Sequence, residues 1–459
     1  MSKLRFYAAM LVAKTMYIGL KLLGRNASYL PGKAAVKICK DFLAHLQMPK
    51  TVICVTGTNG KTTVSNKLTK ILRDHGYSVT NNALGSNVQS GVATALIEDA
   101  DILGRTRKDM AVREVDERSS LLVYPYIKPT YILCNNIMRD SVKRNAHTDF
   151  ISFIINKGVP AGTKLVLNAD DTICAHLGLD NPDRTYFGIS AEVPEETVVP
   201  FLRDIVYCPE CGALLDSQYI RYNHIGRVFC PNCDYKTPEP DFAVTDIDRA
   251  GGTFAVTHDG VTERFKLVND NIPNLYNFCA VITMLNLVGV SYEKIRDSFQ
   301  ALEIVKSRHE EVSVGEHKLT VILAKGQNPI ACSAVARYTA GCPGDDKTVL
   351  LSLDDVGDNN NNTDNIGWVF DTDYSPLADP SVSKVIFVGK RCHDHYLRAL
   401  MSGISQDKLV AAENWRDGVA MIDMQNSRNI YLLYELYRES EMKQIRASIL
   451  DRMKGGQAE

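Results

Sequence analysis

The chain has 459 residues, of which 45% are hydrophobic and 23% are charged. This length allows two or three domains that each bury a core, and the composition is typical of a soluble globular protein. The formal net charge of -2 argues against a nucleic-acid-binding protein, which usually carries a strongly basic face. Twelve cysteines are present. Those outside two CxxC pairs are expected to be buried, reduced thiols of a cytosolic protein, because no secretory signal with a cleavage site is visible.

The first predicted element is a helix between Phe6 and Leu23, within an N-terminal helical segment of residues 1–45. Lys14 and Lys21 interrupt its apolar residues, and it is too short to span a bilayer, which needs roughly 20 apolar residues. We expect an amphipathic helix that packs on the protein. Shallow contact with a membrane surface stays open as the alternative.

A strand–loop–helix pattern begins at Thr51–Thr56, a β-branched run followed by a glycine-rich turn and a helix that stops near Gly76. Later strands also end in polar clusters, as the strands of an open parallel sheet do at a ligand crevice. The predicted fold class is therefore α/β. Residues 46–300 form a parallel-sheet domain with short antiparallel strands near 242–265, and residues 301–459 form a second, Rossmann-like α/β domain.

The first of these loops reads GTNGKTT. Its glycines let backbone N–H groups approach a phosphate, Lys61 can reach the β- and γ-phosphates, and a threonine hydroxyl can bind Mg²⁺. The common eight-residue phosphate-loop pattern would need a glycine at Val55. The shorter GTNGKTT form found here belongs to a smaller set of ATPases. We predict an ATP site made of Gly57, Thr58, Asn59, Gly60, Lys61, Thr62 and Thr63.

Two CxxC pairs, Cys208–Cys211 and Cys230–Cys233, enclose an 18-residue insert. Their spacing is typical of a zinc ribbon, in which four thiolates close a tetrahedral shell, so the predicted Zn²⁺ is structural. Disulfides and free thiols are the alternatives. His224 lies between the pairs and is predicted to be a surface residue, because four sulfurs already suffice as ligands.

The GTNGKTT loop resembles the ATP loop of Mur ligases and of folylpolyglutamate synthetase. Other segments are also similar to Mur ligase motifs: REVDE at Arg113–Glu117, NNIMRD at Asn135–Asp140, LNADD at Leu167–Asp171, NLYN at Asn274–Asn277 and SRHEE at Ser307–Glu311. The resemblance implies a Mur-ligase-like ATPase domain with the zinc ribbon inserted at about residues 205–240.

The same resemblance assigns roles to single residues. Glu114 would bind Mg²⁺, with Glu117 as second choice and a solvated turn as the alternative. The acidic pair of LNADD would help hold nucleotide or metal, and Asn277 would face the adenine. Arg308 would lie at the start of the second domain. ATP would convert a carboxylate into an acyl phosphate, with Lys61, Mg²⁺ and the Arg308 region neutralising the developing charge.

The zinc ribbon and the motif variants look like the MurT group of this family, the synthetase subunits of lipid II isoglutaminyl synthase. This resemblance implies amidation of the D-glutamate α-carboxyl in the lipid II stem peptide to D-isoglutamine. Ammonia would come from a GatD-like glutaminase in a heterodimer at the cytoplasmic face of the membrane. In that group an aspartate of the second domain completes the Cys–His pair of the glutaminase. Asp364 is the first choice, Asp355 the second and Asp371 the third, and a turn-forming role is the alternative.

Some positions depart from the family pattern. His147 replaces a glutamate and Lys143 an aspartate in RDSVKRNAH, and NALGSN at Asn82–Asn87 replaces RTGSN. These changes put fine substrate contacts in doubt, and those at Lys143 and His147 would fit a protein that has lost catalysis. Two other functions stay open. One is a Mur or folylpolyglutamate-type ligase that joins an amino acid without a glutaminase, and the other is a non-catalytic ATP-binding scaffold.

Overall fold

The computed structural model describes residues 2–82, 86–140, 147–192, 202–302, 309–324, 326–354, 366–435 and 438–455. The chain folds into two compact units. The first unit contains Met1–Met138 and His147–Glu303, and the second contains Arg139–Ala146 and Ile304–Glu459. A short piece of chain within the sequence of the first unit therefore belongs to the second.

A nine-stranded sheet forms the centre of the first unit, and a separate two-stranded hairpin is inserted in its sequence. The strands in chain order are β1 Thr51–Thr56, β2 Val79–Asn81, β3 Met110–Glu114, β4 Tyr131–Cys134, β5 Lys164–Asn168, β6 Arg184–Ile189, β7 Asp216–Tyr222, β8 Ile225–Phe229, β9 Phe242–Asp248, β10 Thr253–His258 and β11 Val261–Lys266. The sheet order is β11-β10-β9-β6-β5-β4-β1-β3-β2, and β7 pairs with β8. Strands β1 to β6 are parallel, whereas β9, β10 and β11 form an antiparallel edge, as predicted.

The helices described in the first unit are α1 Ser2–Leu22, α2 Leu30–Ile38, α3 Lys61–Asp74, α4 Gln89–Asp99, α5 Ser120–Ile127, α6 Thr148–Gly158, α7 Thr172–Ala175, α8 Ile272–Leu287 and α9 Tyr292–Gln300. Helix α3 follows the glycine-rich loop, and it buries Val64, Leu68 and Ile71 on one face. This spacing of three and four residues is that of a helix with one apolar stripe. The helix ends before Gly76, whose positive φ of 87° suits a glycine.

The N-terminal helices pack on the first unit. Phe6, Met10 and Ala13 of α1 are buried in the same core cluster as residues of the sheet and of α4. Gly32 of α2 permits close packing on α4, because a Cβ there would lie 1.9 Å from the Ser90 carbonyl oxygen. Among the described residues, no helix combines the length and the apolar character needed to cross a membrane.

The second unit contains a six-stranded sheet with the order β12-β13-β17-β14-β15-β16. Its strands are β12 His309–Val314, β13 His317–Leu323, β14 Lys347–Ser352, β15 Val382–Val388, β16 Leu409–Ala412 and β17 Asn429–Tyr434. The helices described with them are α10 Pro329–Gly341, α11 Gly367–Asp371, α12 Cys392–Met401, α13 Trp415–Ala420 and α14 Glu439–Met453. Only β12 is antiparallel to its neighbour among these strands. The predicted α/β fold class is confirmed in both units.

Candidate functional site

The glycine-rich loop between β1 and α3 has a backbone that requires its two glycines. Gly57 and Gly60 have φ angles of 120° and 86°, in the left-handed region. A Cβ at Gly57 would lie 2.7 Å from the Asn136 carbonyl oxygen, and a Cβ at Gly60 would lie 2.1 Å from Asn277 Oδ1. The loop therefore lies directly against these two asparagines, and any side chain at either glycine would displace it.

Two asparagines after β4 hold the loop from one side. The Asn136 carbonyl accepts a hydrogen bond from Thr58 N at 2.8 Å, and Asn136 Oδ1 accepts one from Asn59 N at 2.9 Å. Asn135 Nδ2 and Asn136 Nδ2 each donate to the Asn59 carbonyl at 3.0 Å. These contacts fix the loop immediately before α3, whose first-turn N–H groups have no partner within the helix. That arrangement suits an anion such as a phosphate.

Asn277 lies at the base of the same loop and is 5% exposed. Its Oδ1 accepts a hydrogen bond from Asn135 Nδ2 at 2.7 Å, and its Nδ2 donates to Asn274 Oδ1 at 3.2 Å. The described contacts of Asn277 are thus with the asparagines beside the loop, and its expected contact with adenine stays a prediction.

Lys61, the first residue of α3, forms a buried ion pair with Glu117. Lys61 Nζ lies 2.8 Å from Glu117 Oε1, and the two side chains are 12% and 1% exposed. The ammonium also donates to the Gly57 carbonyl. Burial by itself lowers the pKa of Lys61, but the carboxylate of Glu117 reverses this, so the pKa lies above its usual value. Glu117, the second choice for Mg²⁺, is therefore the partner of Lys61.

Thr62 and Glu114 form a second pair at the start of α3. Thr62 Oγ1 donates to Glu114 Oε2 at 2.8 Å, and Asn87 Nδ2 donates to Glu114 Oε1 at 3.1 Å. Glu114 ends β3, which pairs in parallel with β1 and brings Glu114 beside Val55. Two cis ligands of an octahedral Mg²⁺ with bonds of 2.0–2.1 Å are about 2.9 Å apart. The hydroxyl and the carboxylate therefore fit this ion in chemistry and in spacing.

The acidic pair of LNADD, which is expected to help hold nucleotide or metal, faces the protein interior. Asp170 and Asp171 are fully buried. Asp170 Oδ2 accepts hydrogen bonds from Tyr276 OH at 2.7 Å and Ile189 N at 3.0 Å. Burial raises the pKa of Asp170, and these hydrogen bonds and Arg227 oppose the rise. Polar residues after a strand look the same in sequence whether they face a ligand or the core.

His224 is buried, so the prediction of a surface residue is wrong. It is 1% exposed, and its Nε2 lies 3.0 Å from Asp171 Oδ1. Burial lowers the pKa of His224, but Asp171 and then Asp204 raise it more, and the pKa lies above its usual value. His224 lies in the turn between β7 and β8. This turn of the inserted hairpin packs on the carboxyl end of β5. Sequence reasoning missed this because the contact joins segments 53 residues apart.

The four cysteines of the two CxxC pairs come together in the first unit. Their sulfur atoms all lie within 4.8 Å of one another. The Cys208–Cys233 and Cys211–Cys230 sulfur distances are 3.6 and 3.5 Å. Ligands 2.3 Å from a tetrahedral zinc would be about 3.8 Å apart. The cluster therefore fits Zn²⁺ in ligand type, number and spacing, whereas a disulfide would need about 2.05 Å.

Comparison with known proteins agrees with this geometry. A family model described as MurT ligase C-terminal matches residues 325–437. A Streptococcus pneumoniae protein named lipid II isoglutaminyl synthase (glutamine-hydrolyzing) subunit MurT is 26% identical over 447 residues, covering 96% of each chain. The chain is MurT-like over almost its whole length.

Solved Mur ligase structures show the same fold. A pseudomurein peptide ligase type C from Methanothermus fervidus has a TM-score of 0.66 at 20% identity, over 90% of this chain and 81% of that one. MurF ligase from Thermotoga maritima, solved in complex with ADP, has a TM-score of 0.57 at 13% identity, over 93% of this chain and 85% of that one. At these identities the likeness supports the Mur ligase fold of the chain.

Some residues predicted for this MurT-like chain lie outside the described residues. They are Arg308, Asp355 and Asp364, together with Lys143 of the altered segment. Asp371, the third choice for the glutaminase aspartate, is described at the end of α11. Its Oδ2 lies 3.2 Å from Arg139 Nη1, and both side chains are 32% exposed. Asp371 is thus a half-buried carboxylate that already has a cationic partner within the second unit.

Sequence reasoning assigned no role to several residues that hold the site together. Asn135 and Asn136 were noted only as part of a family motif, yet they bind the glycine-rich loop. Their signal was available, because two adjacent asparagines that end a buried strand need hydrogen-bond partners. Asn87, which donates to Glu114, carried no such signal, because only the folded loop brings it there.

Proposed function

We propose that this protein uses ATP to amidate the α-carboxyl of D-glutamate in the lipid II stem peptide, giving D-isoglutamine. The ammonia would come from a GatD-like glutaminase partner. The proposal draws its substrate and product class from the MurT relative, whose name is lipid II isoglutaminyl synthase (glutamine-hydrolyzing) subunit MurT. The main support for ATP and Mg²⁺ binding is the Thr62–Glu114 pair. Its two oxygen atoms are 2.8 Å apart at the start of a helix that follows a glycine-rich loop.

The proposed reaction has two steps. A carboxylate oxygen attacks the γ-phosphorus of ATP, the bond to the β-phosphate oxygen breaks, and ADP leaves. Ammonia then attacks the carbonyl carbon of the acyl phosphate, phosphate leaves with the C–O bond electrons, and the nitrogen loses a proton. Because a carboxylate alone has no good leaving group, the phosphoryl transfer is what makes the amide bond accessible.

The chain's own residues would supply position and charge. The backbone of Gly57 to Thr63 would surround the phosphates, and the N-terminus of α3 would face their negative charge. Thr62 and Glu114 would hold Mg²⁺, which when bound neutralises phosphate charge. Lys61 would move from the Gly57 carbonyl to a phosphate while Glu117 keeps it protonated. Arg308 would add a further positive charge from its position in the sequence.

The cysteine cluster is proposed to hold a structural Zn²⁺ through Cys208, Cys211, Cys230 and Cys233. Four ligands leave no open coordination position, so the metal would stabilise the inserted hairpin. This hairpin carries His224, which pairs with Asp171 next to the strand end that precedes α7. The metal would thereby support one wall of the nucleotide-binding unit without taking part in the reaction.

The reaction is tested with the purified protein and its glutaminase partner, by measuring ADP formed in the presence of lipid II and glutamine. Thr62→Val should raise the Mg²⁺ concentration needed and lower kcat/KM by about 100-fold, in the range of other charge-stabilising contacts. Thr262→Val removes an exposed threonine hydroxyl on β11, hydrogen-bonded at 2.8 Å, and serves as the matched control. Equal activity of the Thr62 and Thr262 variants would refute the assigned magnesium site.

Replacing glutamine by ammonium chloride, and then by single amino acids, separates the proposal from an amino-acid ligase. Product formation from ammonium supports amidation. Product formation from an amino acid, with ammonium ignored, would show the alternative ligase instead. No ATP turnover with any acceptor, despite nucleotide binding, would indicate a non-catalytic scaffold.

A further inference from the structure

Helix α1 has two apolar faces, and only one of them is covered. Phe6, Met10 and Ala13 face the core of the first unit. The opposite face is defined here as the α1 outer face. Its large apolar residues are each 37% exposed or more: Leu4, Tyr7, Leu11, Val12, Met16, Ile18 and Leu22. Large apolar side chains that are exposed side by side often mark a contact site, and no element of the described chain covers this face.

The exposed residues form a continuous stripe. Leu4, Leu11, Ile18 and Leu22 are separated by seven, seven and four residues, and are 78%, 64%, 55% and 82% exposed. Such intervals place side chains one above the other along a helix. The stripe therefore runs along the length of α1. With the helix lying flat on an apolar phase, all four side chains could insert into it together.

Further exposed apolar side chains lie on segments next to α1. Leu30 and Ile38 of α2 are 50% and 39% exposed, and α2 packs on α1. Ile102 is 65% exposed, in a loop that Lys14 of α1 contacts through the Ala100 carbonyl. Several elements thus add exposed apolar area around the same helix.

The charge of this part of the chain is one-sided. Residues 1–40 contain eight basic residues and no acidic residue: Lys3, Arg5, Lys14, Lys21, Arg25, Lys33, Lys37 and Lys40. All of these except Lys14 are exposed. The whole chain has a net charge of -2, so residues 1–40 are a basic segment in a slightly acidic protein. Glu98, Asp99 and Asp101 lie near Lys14 and offset part of this charge on the side of α4.

We infer that the α1 outer face docks in the plane of an anionic lipid bilayer. A helix with exposed Leu, Ile, Tyr and Met beside Lys and Arg is typical of segments that lie at the interface between headgroups and acyl chains. A second copy of the chain is a poorer occupant, because a symmetric contact would bring two such basic surfaces together. The described helices cannot cross the membrane, so binding would be peripheral and would depend on lipid charge.

The test is sedimentation of the purified full chain with vesicles of phosphatidylcholine, with or without about one third phosphatidylglycerol. We expect binding to the anionic vesicles, weaker binding to the neutral ones, and a decrease with added salt. Leu11→Glu with Ile18→Glu should reduce the partition coefficient at least about tenfold, because it replaces two inserted side chains by charges.

The matched control is Leu397→Glu with Met401→Glu on α12. These two residues are 50% and 65% exposed, similar to 64% and 55% for Leu11 and Ile18, and the added charge is the same. The control should bind vesicles as the unmodified chain does. Equal binding of both double variants, or no binding of the unmodified chain to anionic vesicles, would overturn the inference. A dimer that only the Leu11 and Ile18 substitutions dissociate, without vesicle binding, would also overturn it and assign the face to a second copy.

A second measurement does not depend on the charge substitutions. Both tryptophans of the chain, Trp368 and Trp415, belong to the second unit. Leu11→Trp therefore adds the first tryptophan to the first unit. Its emission should be quenched by brominated acyl chains beyond the quenching of the unmodified protein, and equal quenching would contradict insertion. The vesicles contain no lipid II, so this outcome is separate from the success or failure of the proposed amidation.

Discussion

His224 Nε2 lies 3.0 Å from Asp171 Oδ1, and neither side chain has meaningful contact with solvent. Asp171 also caps α7 by accepting hydrogen bonds from Ile173 N and Cys174 N at 2.9 Å. Its other oxygen accepts one from Ile137 N at 2.7 Å. A single carboxylate thus joins the inserted hairpin, the short helix after β5 and the segment that follows the two asparagines at the loop.

The first prediction concerns the pH dependence of this pair. The pKa of His224 is raised in the folded state, so its stabilising contribution is fully present below the unfolded pKa of about 6.5 and is lost as pH rises through the folded value. His224→Gln should lower the free energy of unfolding by about 1.5–3 kcal/mol near pH 6, the range for a hydrogen bond to a charged group. The difference should shrink at higher pH.

Thermal or denaturant unfolding of the two proteins at several pH values measures this difference. His147→Gln is the control, because His147 lies 3.7 Å from Asp149 with side chains 76% and 81% exposed. An exposed pair of this kind contributes little to stability. A pH-independent difference for His224→Gln would show that His224 is not held in its charged form.

The second prediction separates stability from catalysis at Lys61. Lys61→Ala leaves the Glu117 carboxylate buried without its cationic partner, and this should destabilise the protein by about 3–5 kcal/mol. Lys61→Ala with Glu117→Gln removes both charges and should recover most of that stability. Both variants should lack ATP turnover, because neither has an ammonium to place against the phosphates.

Unfolding measurements and ADP formation are made on the same samples. Glu117→Gln alone serves as the reference for the loss of the carboxylate. Turnover in the double variant near the unmodified rate would contradict a role for Lys61 in phosphate binding. Equal stability of Lys61→Ala and the unmodified protein would contradict the buried pair.

The sequence and the structure agree best where a motif is local. The loop from Gly57 to Thr63 was predicted correctly as a turn between a strand and a helix, because glycine conformation and helix-starting residues are properties of adjacent positions. The two CxxC pairs were likewise predicted to meet. Each pair forms a local turn, and two such turns at this spacing are typical of a shared metal site.

His224 and the LNADD acids show where local reasoning fails. His224 was predicted at the surface because four sulfurs suffice as zinc ligands, and the LNADD acids were expected beside nucleotide or metal. The inserted hairpin covers Asp171, however, and buries His224 with it. Burial of charged residues depends on which distant segment packs on them, so no spacing rule could have identified the pair. The ion pair of Glu117 with Lys61 has the same cause, because Lys61 is 56 residues away in the chain.

The third prediction is that the purified protein carries one zinc ion on the four-cysteine cluster. Cys230→Ser should lose the metal and lower the unfolding temperature of the protein, because the metal joins the two ends of the insert. Cys342→Ser is the control, as Cys342 is a partly exposed free cysteine outside the cluster. Metal analysis of both variants is the measurement. Zinc retained at full content in Cys230→Ser, or a protein that folds without metal and is unaffected by chelators, would argue against the ribbon.

The fourth prediction concerns the aspartate proposed to complete the active site of the glutaminase partner. Asp364→Asn should reduce glutamine hydrolysis by the complex by about 10³–10⁴-fold, because an orienting carboxylate sets the tautomer and the direction of the catalytic histidine. Amidation from ammonium chloride should be unchanged, since the nucleotide site is untouched.

Asp355→Asn and Asp371→Asn are measured beside Asp364→Asn. Asp371 already pairs with Arg139 at 3.2 Å, so its carboxylate would have to exchange one partner for another, and its substitution should have the smaller effect. Full glutamine hydrolysis by the Asp364 variant, with loss in one of the other two, would assign the role to that residue instead.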